Sequence, residues 1–370
     1  MKRIAQFVGL DVHKDSVCMA VAVGGPGMAV RELGSVPHDV PRVVRRILEL
    51  GPPESLAVAY EAGPTGYGLQ RAFEAAGVRC LVAAPSKTPV RSGERVKTDR
   101  RDAIKLARYL RSGELVAVAP PDRERESLRD VVRAREDVVH AQRRARQQLS
   151  AFLLRHDRKW TGRSSWTEAH LAWIRGQVFD SEAQTQVLED YVAEVRRLTA
   201  RLTEATERVE HFAGAFESSR PLYRALQALR GVGPIVAATV VAEIGDLRRF
   251  PSPTKLMGYL GLAPCERSSG PRTVRGAITK AGNPHVRWKL VEAAWSSRHR
   301  PAMSVLLERR SKGLPQEVRD IAWKAQKRLH KRYWSMTARG KRPQTAIVAM
   351  ARELSGFIWA IGQVVPARAD

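Results

Sequence analysis

Cysteine is almost missing from this chain: Cys18, Cys80 and Cys265 are all it has in 370 residues. They are scattered without zinc-ligand spacing, which excludes a thiolate zinc site and a disulfide framework and fits a reducing compartment. Also lacking is an unbroken apolar run long enough to cross a bilayer. The longest candidate, residues 345–363, is interrupted by Arg352 and Glu353 and reads as an amphipathic helix. Near the start, the apolar stretch around Phe7 runs straight into Asp11, His13, Lys14 and Asp15, unlike a secretory signal. The expectation is a cytoplasmic protein with no membrane partner. Acidic residues are scarce beside basic ones, 38 against 63, and the formal net charge is +25. A field of that sign selects polyanions.

The length suits about two or three domains. Residues 6–12 and 16–23 are strand-like, and Gly24-Gly25-Pro26-Gly27 turns the chain into a third strand near Met28 to Leu33. A helix at residues 40–50 follows, then a buried strand from Leu56 to Tyr60, a helix through Leu69 and Phe73, a strand at 78–83 and a helix beginning near Thr98. The order βββαβαβα is that of a ribonuclease-H-like domain, in which the first and fourth strands lie side by side. Residues 1–120 are assigned to it, 121–218 to a basic helical and coiled-coil region, and 219–370 to a mainly helical third domain.

Four carboxylates fall at telling places. Asp11 ends the first strand, Glu61 ends the fourth, and Asp99 and Asp102 share a face of the first turn of the helix capped by Thr98. Two divalent cations about 3.5–4 Å apart can clamp the attacking and leaving oxygens of an in-line phosphoryl displacement, and holding them takes carboxylates from separate segments. Oxygen ligands suit Mg²⁺ or Mn²⁺ rather than zinc. The plainer alternative is that acidic residues in a first turn complement the helix dipole.

Past Pro120-Pro121 the composition shifts to Arg, Glu, Gln and Ala. Leu188, Tyr191, Val195, Leu198, Leu202, Ala205, Val209 and Phe212 alternate at three and four residues, a coiled-coil seam expected to join protomers, although packing on the preceding helix as a hairpin is also open. That preceding helix carries Arg143, Arg144 and Arg146, and Trp160, Trp166 and Trp173 follow it, a mixture suited to phosphate neutralisation and base stacking. Leu229-Arg230-Gly231-Val232-Gly233-Pro234 before an apolar helix reads as a helix-hairpin-helix, with Gly231 and Gly233 permitting a tight turn and amides free for a phosphate; a simple helix connection is the alternative. Further on, Ser268-Ser269-Gly270 is flanked by Arg272, Arg275 and Lys280. A serine there could attack a phosphodiester with guanidinium help, or the segment could be an ordinary turn. The basic helix around residues 318–329, with Arg339, Lys341 and Arg342 beyond it, adds phosphate-binding capacity.

Three segments, Gly9-Leu10-Asp11-Val12-His13-Lys14, Glu61-Ala62-Gly63-Pro64-Thr65-Gly66 and Lys97-Thr98-Asp99-Arg100-Arg101-Asp102-Ala103, resemble the DEDD signature of a family of bacterial insertion-sequence transposases, the bridge-RNA-guided recombinases. Gly231 to Pro234, Gly261-Leu262-Ala263-Pro264, Ser268-Ser269-Gly270 and Ile278 to Asn283 resemble the same family's C-terminal transposase domain, so the likeness runs in order along nearly the whole chain. Cys265 and the longer C-terminal region depart from the pattern without touching its catalytic positions. The resemblance implies a RuvC-like domain, an oligomerising coiled coil and a serine domain. It places the metal-binding positions on Asp11, Glu61, Asp99 and Asp102 and the nucleophile on Ser269. It implies double-stranded donor and target DNA, a structured noncoding bridge RNA, and a homo-oligomer, dimeric and then tetrameric on DNA, as partners.

Two rival functions remain open on the sequence. One is a Mg²⁺-dependent RuvC-like structure-selective nuclease in which Ser269 is structural. The other is a non-enzymatic nucleic-acid-binding protein whose acidic residues merely cap elements.

Overall fold

A computed structural model describes residues 4–24, 29–89, 98–269 and 272–365. Residues 267–269 and 272–275 are described by their backbone alone. Lys97 and Gly270 of the sequence motifs lie outside the described residues. Two compact units divide the chain, Met1–Pro120 and Pro121–Asp370.

The first unit runs β1 (Gln6–Val12), β2 (Ser16–Val23), β3 (Val30–Pro37), α1 (Val40–Leu48), β4 (Leu56–Glu61), α2 (Gly68–Ala75), β5 (Arg79–Ala83) and α3 (Asp99–Ser112). The five strands form one mixed sheet in the order β3-β2-β1-β4-β5. β1 pairs antiparallel with β2 and parallel with β4. The expected neighbourhood of the first and fourth strands is therefore found. β4 is parallel to both neighbours and has a helix layer on each face, so Leu56 to Tyr60 is a continuous buried run rather than an alternating one. The third strand is described from Val30 to Pro37, its expected start at Met28 and the turn residues Gly25 to Gly27 lying outside the described residues, and it has a register shift at Met19/Ala20 opposite Gly34, whose φ of +85° suits glycine.

Side chains alternate across the sheet. Val8, Leu10, Val58 and Tyr60 pack with Val43 and Ile47 of α1 and with Leu69 and Phe73 of α2. On the opposite face Ala20 and Ala22 meet Ala103 and Ala107 of α3, and Ala59 meets Leu106 and Tyr109. Small residues let this helix lie close. At Gly9 a Cβ would sit 2.2 Å from the Ala103 carbonyl oxygen and 2.3 Å from the Ala107 nitrogen, so only glycine admits the helix at this depth.

Among the described residues the second unit is helical apart from one hairpin. It comprises α4 (Arg123–Arg155), α5 (Glu168–Arg175), α6 (Glu182–Ala215), α7 (Arg220–Leu226), α8 (Pro234–Ile244), α9 (Pro253–Tyr259), β6 (Pro264–Ser269), β7 (Arg272–Ile278), α10 (Pro284–Ala294), α11 (Val305–Ser311), α12 (Gln316–Ala338) and α13 (Pro343–Val364). α13 is long and apolar enough to span a membrane by length and composition, yet Ile347, Met350, Leu354, Ile358 and Ile361 are buried in the helical core, which makes it a core helix.

α4 and α6 pack along one another in opposite directions. Arg135 donates to Thr206 at 2.8 Å, and one heptad further along α4 Gln142 donates to Thr199 at 2.9 Å, one heptad back along α6. Their outer halves enclose Ala145, Leu149, Phe152, Leu188, Val195 and Leu198 together with Ile174 of α5; their inner halves send Leu128, Val132, Val209 and Ala213 into the main core. The apolar seam of α6 is thus occupied by α4 of the same chain. A three-four repeat shows that a helix needs a partner but does not say which helix that partner is. Leu198→Asp, at a position 2% exposed, places a charge in this contact at a cost of several kcal/mol. The expected result is early proteolytic cleavage within the α4–α6 pair, the helical arm of this unit, and no change in oligomeric state; a dissociated but protease-resistant variant would show that the seam joins protomers instead.

Of the two glycines expected to shape a helix-hairpin-helix, Gly231 has a packing reason, whereas a Cβ at Gly233 would come no nearer than 3.7 Å to another residue, the Arg310 side chain. Gly231 has φ +85°, and a Cβ there would lie 2.2 Å from the Ala293 carbonyl oxygen of α10. α7 is only seven residues long, and α8 is buried throughout residues 237–244, which makes it an interior helix. The observed element is a short helix, a tight turn and a core helix.

Candidate metal and strand-cleavage site

β1 and β4 are in register with Leu10 opposite Tyr60, so Asp11 and Glu61 follow at the same ends of adjacent parallel strands. Gly9, Asp11, Ala59 and Glu61 share the side of the sheet that α3 covers. Thr98 caps α3, its side chain accepting from the Arg101 amide, and this places Asp99 and Asp102 in the first turn. Asp11 and Glu61 line one open cleft with His13, Lys14, His38 and residues 62–65.

The side chains there are tied together. His13 Nε2 lies 3.2 Å from Asp11 Oδ2 and 3.3 Å from Asp99 Oδ1. Thr88 donates its hydroxyl hydrogen to Glu61 Oε1 at 2.8 Å, which holds that carboxylate. Burial pushes the Asp11 carboxyl above its ordinary range, His13 opposes the shift, and Asp102 and Asp99 add to it. A partly buried Asp11 that feels the charges of Asp102 and Asp99 belongs to a donor set that a divalent cation relieves. Asp11, Asp99 and His13 have ligand atoms within 4.8 Å of one another.

The serine segment belongs to the second unit. Pro264 pairs with Ile278 at the base of the hairpin and Ser269 with Arg272 at its far end; Ser268 opposes Thr273, and Arg275 opposes Glu266. At about 3.3 Å per residue the tip stands roughly 16 Å from the base. The base is locked by close backbone contacts: a Cβ at Gly261 (φ +64°) would meet the Ala281 carbonyl oxygen at 2.0 Å, and one at Gly282 (φ +77°) would meet the Tyr259 carbonyl oxygen at 1.8 Å. Lys280, exposed and with φ +55°, donates its amide to the Gly261 carbonyl at 3.1 Å. The segments 261–264 and 278–283 are therefore two halves of one interlock.

Sequence reasoning overlooked the groups beneath that interlock. Asn283 caps α10 and donates to Glu243 Oε2 at 2.7 Å. Burial alone would raise the Glu243 carboxyl, but Arg133, at 2.8 and 3.1 Å, together with Arg129 and Asn283 pulls it below its ordinary range. Beside it the buried Glu136 of α4 receives His285 and Lys289 of α10. Two buried carboxylates thus bind α4 to the helix that follows the serine hairpin. In the sequence Glu136 looks like a charge on a solvated helix, whereas Glu243, the lone charge in the apolar run Ile235 to Ile244, was a signal left unused.

Of the expected nucleic-acid residues on α4, Arg143 and Arg144 are exposed. Arg146 is not: its guanidinium lies over the Trp166 ring, 5.0 Å from the centroid, and burial lowers its pKa. Its side chain packs beside the α4–α6 pair. Trp160 and Trp173 likewise group with His170 rather than projecting alone.

Residues 8–156 match a DEDD-type IS110 transposase family model, and residues 223–307 match the model of the Transposase IS116/IS110/IS902 family. The chain is 46% identical over 358 residues to "Putative transposase y4qE" of Sinorhizobium fredii, covering 96% of this chain and 88% of that one. It is 30% identical over 341 residues to "Transposase for insertion sequence element IS1533" of Leptospira borgpetersenii, covering 91% and 98%.

Proposed function

Because the chain belongs to the IS110/IS116/IS902 family of insertion-sequence transposases, enzymes of DNA cleavage and transfer, we propose that it cuts and rejoins DNA through Ser269, with a divalent cation held by Asp11, Glu61, Asp99 and Asp102 and with target choice guided by a structured RNA from its own element. One observation carries the reading: Asp11 and Glu61 close neighbouring parallel strands on the face where Gly9 admits α3 and its two aspartates. Bound Mg²⁺ or Mn²⁺ would supply Lewis acidity at the scissile phosphate.

The chain's own part is positioning and nucleophilic attack. Ser269 Oγ attacks phosphorus, the Oγ–P bond forms as the bond to the leaving deoxyribose oxygen breaks, and the hydroxyl proton passes to that oxygen. In rejoining, a hydroxyl end of another strand attacks the phosphoserine and the serine recovers its proton. Each step exchanges one phosphate ester for another, so no nucleotide cofactor is required. Arg272 and Arg275, on the paired strand of the same hairpin, bring positive charge for the transferring phosphoryl group. The serine and the carboxylates belong to separate compact units, which suits a site shared between protomers of a dimer or a DNA-bound tetramer. With a guide RNA reading sequence by base pairing, the protein need read mainly shape and backbone charge.

The test is recombination of donor and target DNA by the purified chain with and without the RNA transcribed from the element. Product is expected only with RNA and with Mg²⁺ or Mn²⁺. Equal product without RNA removes the guide, and equal product in excess chelator removes the cation.

Binding is expected to depend steeply on salt. With about six to ten phosphates neutralised, affinity falls roughly 10³- to 10⁵-fold between 50 and 200 mM salt. Arg143→Gln with Arg144→Gln should lower the slope of log affinity against log salt by about 1 to 2. An unchanged slope in a filter-binding series places the nucleic acid away from α4.

A further inference from the structure

His13 lies in the first motif segment without being one of its acidic positions, yet its ring stands among the carboxylates. Its backbone is fixed twice in the turn between β1 and β2: the His13 amide donates to the Ser16 carbonyl at 2.9 Å, and the His13 carbonyl lies 2.7 Å from His38 Nδ1. The turn therefore aims the imidazole, and Nε2 comes to rest 3.2 Å from Asp11 Oδ2 and 3.3 Å from Asp99 Oδ1. A ring nitrogen carries at most one hydrogen, and one hydrogen cannot point along both directions at full strength. A cation placed among the three atoms serves all of them. Ligands at about 2.0–2.2 Å from an octahedral ion are separated from their neighbours by roughly 3 Å along each edge of the polyhedron, close to the two spacings observed.

We infer that His13 is a nitrogen ligand of the divalent cation and that it biases the site toward Mn²⁺ over Mg²⁺. The inference rests on the cation-binding part of the function proposed above. Imidazole is a softer donor than carboxylate or water, and in the divalent series Mn²⁺ accepts it more readily than Mg²⁺, which keeps oxygen ligands and its own waters. Replacing His13 leaves an all-oxygen site that still binds a cation and no longer distinguishes the two ions.

The experiment uses the full chain loaded with Mn²⁺ and read by electron paramagnetic resonance. Pulsed spectra of the wild type are expected to show a directly bonded nitrogen, changing to the ¹⁵N pattern when the protein is grown with ¹⁵N-histidine. His13→Ala should lose that coupling and bind Mn²⁺ about 10-fold or more weakly, with Mg²⁺ affinity, measured by competition, changed less than about 2-fold. His13→Asn is a second variant that keeps a polar turn residue and should also lose the coupling. Bound Mn²⁺ with no nitrogen coupling in the wild type overturns the inference and leaves the carboxylate site standing. Coupling that persists in both variants overturns the assignment to His13. No bound Mn²⁺ in the wild type overturns the cation reading itself.

Discussion

Ser269→Ala is expected to leave RNA and DNA binding near wild type while reducing strand transfer on the order of 10⁴-fold or more, with no covalent protein–DNA adduct. A serine hydroxyl is a weak nucleophile without assistance, but no other group can take its place in forming a phosphoserine. Alanine keeps the Cβ and the backbone amide, so the pairing of position 269 with Arg272 at the end of the hairpin should survive. Ser268 pairs with Thr273 one step nearer the base of the hairpin, and Ser268→Ala should retain substantial activity. Wild type and both variants would be run on denaturing gels after reaction with a DNA substrate nicked to trap the adduct. Full recombination by Ser269→Ala, or an adduct mapped to Ser268, sinks the assignment and restores a hydrolytic nuclease as the better description.

Replacement of Asp11, Glu61, Asp99 or Asp102 by Ala is expected to reduce strand transfer at least about 10³-fold, since each removes a ligand from the group that positions and polarises the phosphate. Thermal stability without metal should not fall in parallel. Asp11 is partly buried and feels both Asp102 and Asp99, so removing its charge relieves repulsion and the cation-free protein should melt at the same or a higher temperature. The two readouts together separate a metal-site role from a structural one: a carboxylate that only capped an element would show lower melting with activity lost in proportion. Wild-type transfer by any one of the folded variants removes that residue from the site.

Much of the first unit could be read in advance because its determinants are local. The apolar run at β4, the Thr98 cap and the carboxylates ending β1 and β4 are each visible within a few residues, and the neighbourhood of β1 and β4 follows from element order. What escaped was whatever depends on contact across the chain. The role of Gly9 requires α3 to lie over it, Gly261 and Gly282 make sense only once their segments touch, and the packing of Arg146 over Trp166 has no trace in the local spacing. Glu136 was invisible for the same reason, since a buried carboxylate and a solvated one are spelled alike, while Glu243 stood out only as the lone charge of an apolar helix. His13 stood inside a motif, but its role depends on the path of the turn rather than on spacing.

The antiparallel pairing of α4 with α6 constrains how this protein can change over generations. Adding one residue to α4 beyond Arg135 would rotate everything after it by about 100°, turning Gln142 away from Thr199 and Leu149 out of the arm's core. The matching residue in α6 must be added at the facing point, and even then both stripes are displaced unless the insertion approximates whole turns. Viable length variants should therefore arise as coupled insertions or deletions in the two helices, in steps near seven or eleven residues. Single-residue changes should collect instead between residues 156 and 181, outside the facing stretches of the two helices.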